Sequence, residues 1–143
     1  MEEVSEDIRN LAVKHQEFQR QIEAIRQQAN MVQASITNCD QTIVTINELK
    51  SASAEGKPAE TMVPVGFGSF VYAEIKNAEK VIVDLGAGFS AEKTADEAIE
   101  TLNRRKAQLM KIFEQMNTTL TKYVQGLQAL ESEAVRLQQS GQA

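Results

Sequence analysis

Apolar residues recur along the first fifty positions in steps that alternate four and three: Val4, Ile8, Leu11, His15, Phe18, Ile22, Ile25, Ala29, Val32, Ile36, Cys39, Ile43 and Ile46, with His15 the one strongly polar member. A spacing that averages 3.5 residues over six heptads predicts the seam of a left-handed coiled coil, not the broader stripe of a helix on a globular core. Gln16, Gln19, Gln21, Gln27 and Gln28 fill the flanks and suit solvent. A second series of equal length follows the middle of the chain: Ala95, Ile99, Leu102, Lys106, Leu109, Phe113, Met116, Leu120, Tyr123, Leu127, Leu130, Ala134 and Leu137. Thr94 and Glu97 have the spacing of a capping box at its start, and Gly141 reads as its stop.

Between the two series the period drops from 3.5 to 2. Thr61–Val65, Ser69–Ile75, Lys80–Leu85 and a segment from Phe89 to about Glu92 read as four short strands. Gly66-Phe67-Gly68 and Gly86-Ala87-Gly88 supply the tight reversals that make them two β-hairpins. The expected organisation is an N-terminal helix over 1–50, two hairpins over 51–91 and a C-terminal helix over 92–143. Arms of equal length joined by a compact middle should fold back as an antiparallel hairpin on the order of 70 Å long. Pairing the seams in order outward from the middle sets Ile46 opposite Ala95, Ile43 opposite Ile99, Ala29 opposite Phe113, Ile22 opposite Leu120, His15 opposite Leu127 and Ile8 opposite Ala134. Periodicity alone also accepts a shift of seven.

The hairpin strands are apolar on both faces, and isolated two-stranded hairpins with open edges are marginal in water. The fold class expected is therefore mainly α, a long antiparallel two-helix coiled-coil hairpin whose two central β-hairpins contribute to an intersubunit β-barrel.

Composition agrees. Tryptophan is absent, seven residues are aromatic, and both prolines with five of seven glycines lie between Ser51 and Ala91. Twenty acidic against fifteen basic residues give a net charge of −5, with no basic arm, so nucleic acid is not an expected partner. No apolar run approaches the length of a membrane span, a single cysteine excludes an internal disulfide, and the polar start is no signal peptide. A cytoplasmic location is the expectation.

Chemistry-bearing residues are few. His15 could be a pH-sensitive point or a metal ligand, but the chain has no second histidine, and it reads as a tolerated polar seam residue that fixes register. Cys39 reads as a small buried hydrophobe. Lys106 interrupts the second seam opposite Ile36, snorkelling outward or acting as a register device. The Gly-x-Gly triplets do not continue into a dinucleotide or phosphate-binding loop, and turn chemistry explains them. Gly126 costs about 1 kcal/mol of helix stability relative to Ala, and loosening of the helix end and neutral drift are both open readings of it. No paired carboxylate pocket, metal cluster or activated nucleophile is present, so catalysis and cofactors are not expected.

The strings Met62-Val63-Pro64-Val65-Gly66, Ser69-Phe70-Val71-Tyr72-Ala73, Val81-Ile82-Val83-Asp84-Leu85-Gly86-Ala87-Gly88-Phe89 and Glu92-Lys93-Thr94-Ala95-Asp96-Glu97-Ala98, set between long arms, resemble the α-subunit class of the prefoldin family, closest to its archaeal form. The resemblance spans nearly the whole chain, and two hairpins instead of one fit an α rather than a β subunit. It implies an ATP-independent holdase co-chaperone in which two α and four β subunits join their hairpins in a double β-barrel, with six coiled-coil tentacles projecting from it. Val63, Val65, Phe70, Tyr72, Val81, Val83, Leu85 and Phe89 would form the subunit interface. Unfolded client polypeptides would be held at the tentacle tips by Val4, Ile8, Leu11, Ala12, Leu127, Leu130, Ala134, Val135 and Leu137. Hand-over to a group II chaperonin is implied by the resemblance alone. The competing reading is a structural coiled-coil adaptor that binds one folded partner.

Overall fold

A computed structural model describes residues 2 to 142. The elements run α1 (Glu2–Ala54), β1 (Ala59–Gly66), β2 (Ser69–Ile75), β3 (Lys80–Gly86), β4 (Phe89–Thr94) and α2 (Ala95–Gln142). The chain divides into two compact units. One joins α1 up to Ser35 with α2 from Leu109 onward, and the other is Ile36–Gln108, which holds all four strands.

The 53 residues of α1 contain neither glycine nor proline, so nothing interrupts the helix before its cap. Termination is a Schellman motif: Gly56 turns to φ 72°, its amide reaches the Ser53 carbonyl and the Lys57 amide reaches that of Ala52, after which Pro58 forbids continuation. At the start of α2 the Thr94 hydroxyl accepts the Glu97 amide at 3.2 Å, as the capping spacing predicts, although Glu97 makes no return bond. The first amide of α2, that of Ala95, is taken by the Glu79 carbonyl at 3.0 Å. Gly141 does not stop the helix, which runs to Gln142. A single glycine in the last turn costs no more than about 1 kcal/mol, too little by itself to end the helix.

All thirteen positions of each predicted seam are buried or half-buried. In the unit of the outer arms α1 and α2 run antiparallel: His15 meets Glu131, and Phe18 further along α1 meets Tyr123 earlier on α2 in an edge-to-face pair with ring centroids 5.4 Å apart and planes at 88°. Phe18 and Tyr123 are also partners in the count outward from the middle. In the other unit Lys106 Nζ lies 2.7 Å from Asp40 Oδ1, and Lys50 pairs with Asp96 in the same antiparallel sense. Lys106 therefore keeps its stem in the seam while its amine leaves it to tie the two helices.

Each hairpin is its own two-stranded antiparallel sheet. The reversals are two-residue loops in which Phe67 with Gly68, and Ala87 with Gly88, all have positive φ, after a bulge at Val65 or Leu85. The second hairpin has a core of its own. Val83 (7% exposed) packs with Ile46, Ala95 and Ala98 (0%), and Val81, Ile99 and Leu102 close around them. Arg105 donates to the Asp84 carbonyl, and Lys93 Nζ donates to Thr101 Oγ1 at 3.0 Å, so β3–β4 is bonded onto α2 as well as packed on it.

Candidate functional site

Two surfaces stand out, one in each unit. In the outer arms packing loosens toward the chain ends: Ile22 and Ala29 are buried, whereas no described side chain before Ile22 is buried. Val4, Ile8, Leu11, Leu127, Leu130, Ala134 and Leu137 are half-buried along the seam, and Ala12 and Val135 are exposed. Leu11, Leu130 and Leu137 come together with Ala129 in an open groove of about 630 Å³, bounded by Asp7, Lys14, Glu133 and Arg136. Arg136 is occupied by Glu133, 2.7 Å away on its own helix. Val13, 67% exposed, adds apolar surface that the seam count misses because it lies off the heptad. Its signal is the unbroken apolar run Leu11-Ala12-Val13.

The seam count sets His15 opposite Leu127, and its polar partner lies one turn further along α2. His15 Nε2 lies 3.1 Å from Glu131 Oε1, so the imidazole leans out of the seam toward the opposite helix. Nearby, Arg20 donates to Glu17 at 2.8 Å, and this bond, reinforced by Gln21, holds the Glu17 carboxyl below its ordinary range. Phe18 lies against the backbone of Gly126: a Cβ placed on Gly126 would lie 2.6 Å from its Cε2. Gly126 is there because the ring of Phe18 occupies the space a methyl group needs. Cys39 is half-buried. Among the described residues no group of three His, Cys, Asp or Glu side chains could hold a metal ion, and no helix is long and apolar enough to cross a membrane.

The second surface is the pair of hairpins. Val63, Val65, Phe70, Tyr72, Leu85 and Phe89 are exposed, as is Phe67, whose ring lies wholly in solvent at the tip of the first turn. Met62 and Val71 extend the patch. Val81 and Val83 are placed otherwise: they turn inward onto the chain's own helices, while Ile82 (76% exposed) joins Leu85 as an exposed apolar residue of β3. Every strand pairs on one side only, so each hairpin offers two free edges. Exposed apolar area on this scale marks an interaction surface.

The arrangement has close counterparts. The family model described as "Prefoldin subunit" matches residues 2–140. The prefoldin subunit alpha of Methanosarcina barkeri is 78% identical over the whole of both chains, and that of Methanosarcina mazei is 71% identical, again over the whole of both. Among solved structures, a chain of filamentous prefoldin from Methanocaldococcus jannaschii superposes with a TM-score of 0.70 at 24% identity, over 87% of this chain and 98% of the other. A family match over nearly every residue, agreeing with the helix, hairpin pair and helix seen here, shows that the chain belongs to the prefoldin family.

Proposed function

We propose that this chain is the α-class subunit of an ATP-independent holdase, joined to β-class prefoldin subunits through its hairpins and holding non-native polypeptide at the outer ends of its helices for delivery to a group II chaperonin. The observation that carries the reading is the apolar surface left open on the hairpins and on the outer arms of a chain that belongs to the prefoldin family. Two-stranded sheets with free edges and exposed aromatic residues are unstable alone in water and are completed by strands of neighbouring subunits. At the arm ends, half-buried aliphatic side chains beside a shallow groove bind an unfolded segment weakly. Several such ends acting on one flexible chain multiply the affinity through effective concentration. Weak contacts in number suit reversible holding.

Removal of residues 1–12 and 127–143 is expected to leave assembly with a β-class subunit intact and to abolish suppression of aggregation of a chemically denatured enzyme. Light scattering and native mass spectrometry read the two effects separately. Retention of full suppression by the truncated assembly overturns the assignment of client binding to the arm ends. Saturable binding to a native protein with no effect on the denatured one is the signature of an adaptor instead.

A further inference from the structure

At the outer end of the arms each helix covers apolar residues of the other. Val4, Leu11, Leu130 and Leu137 are all half-buried, and the facing helix is their cover. A Cβ placed on Gly141 would lie 3.9 Å from Val4 Cγ1, so the two chain ends touch. Leu11 of α1 shares its open groove with Leu130 and Leu137 of α2. A polypeptide laid in that groove reaches only the edges of these leucines, because the rest of each is turned into the seam.

The cover is weak, and it ends at a definite place. Inward of Phe18 the seam holds Ile22 at 6% and Ala29 at 8% exposure, whereas outward of it no described side chain of either helix is buried. Among the described residues a single polar bond joins the helices beyond Phe18, that of His15 to Glu131, and solvent reaches both side chains (31% and 57% exposed). At the same level Gly126 lowers the helix propensity of α2, and its backbone lies against the Phe18 ring, which Tyr123 holds from another side. Segments with few buried contacts and exposed polar bonds open far more readily than the whole fold.

We propose that the outer arms are held shut by their own packing: residues 4–15 of α1 and 127–141 of α2 part as one unit beside the Phe18–Gly126 contact, breaking the His15–Glu131 bond, and a client takes up the apolar faces that each helix otherwise covers on the other. The inference rests on the holding reading above and states how that site is regulated. Parting leaves the Phe18–Tyr123 pair and the buried seam inward of it intact, so the cost falls on contacts that are already loose. The client competes with the chain's own partner helix, and apparent affinity follows the fraction of arms that stand open.

Two variants test this in the assembly with a β-class prefoldin subunit, with native mass spectrometry checking that each remains assembled. The readout is the concentration of assembly that halves light scattering from guanidinium-denatured citrate synthase. Val4→Cys/Gly141→Cys, in a Cys39→Ala background, is oxidised to link the chain ends, whose approach suits a disulfide. The linked form is expected to need at least about tenfold more assembly than the same variant reduced. Gly126→Ala, which overpacks Phe18 and so loosens the closed arms, is expected to hold the client at about fivefold lower concentration than the unaltered chain. Linked arms that hold as well as reduced ones overturn the proposal and leave the client on the outside of closed arms. If the cysteine pair is inactive in both states, Gly126→Ala decides, and no gain in holding overturns the proposal. If the assembly of the unaltered chain suppresses nothing, the holding reading itself falls and takes this inference with it.

Discussion

Gly126→Ala is expected to destabilise the outer arms by about 1–2 kcal/mol, against the direction that helix propensity alone gives. Alanine gains about 1 kcal/mol in a helix interior relative to glycine. Here the added methyl group meets Phe18, with Cε2 at 2.6 Å and Cδ2 at 3.2 Å from the ideal Cβ. The ring cannot yield freely, because it is also held in the edge-to-face pair with Tyr123. Overpacking of this kind costs about 1–3 kcal/mol, and disturbing the aromatic pair adds about 0.5–1.5. The sign should reverse when the ring is removed. In a Phe18→Ala background the same substitution should stabilise the helix by about 1 kcal/mol, a non-additivity that thermal melting of the four variants reads directly. A higher melting temperature for Gly126→Ala in the unaltered chain contradicts the close approach.

A larger effect is expected from Val83→Asp than from the same change one residue earlier. Val83 is 7% exposed and packs on Ile46, Ala95 and Ala98, so a carboxylate there is stripped of water and has no cation in the cluster. The cost is about 3 kcal/mol or more, comparable with other unpaired buried charges. Undocking of β3–β4 from α2 should follow, seen as lost hydrogen-exchange protection of the strand amides. Ile82→Asp, on the outward face, should leave the isolated chain within about 0.5 kcal/mol of its original stability. Equal losses in the two variants contradict the inward assignment of Val83.

The arms were legible because the seam steps of four and three never slip between Val4 and Ile46 or between Ala95 and Leu137, and every one of those positions is at least half-covered in the structure. The hairpins were legible through the glycines that frame Phe67 and Ala87, where the backbone does turn to positive φ. Which face of β3 turns inward was not. Val81, Val83 and Leu85 alternate with Ile82, so both sets look apolar, and the choice is made by partners distant in sequence: the small side chains of Ala95 and Ala98 and the Arg105 bond to the Asp84 carbonyl. The role of Gly126 was hidden for the same reason, since its cause is a ring on the other helix. That His15 reaches Glu131 also depends on a side-chain direction that spacing does not carry. At the arm ends the heptad picked out Leu11, Leu130 and Leu137, which meet in the groove, and passed over Val13, because a seam count sees only what faces inward.

The cross-helix contacts also imply an order of formation. Lys50 and Asp96 are 46 residues apart in sequence, whereas His15 and Glu131 are 116 apart. Closing the longer loop directly costs only about 0.8 kcal/mol more, but each contact made nearer the hairpins shortens the free loop left for the next one. The chain is therefore built to zip in one direction, from the segment tied by the Ala95 amide and the Glu79 carbonyl outward along both helices. A heptad slip of the arms would have to part Lys50 from Asp96, the ion pair nearest the hairpins.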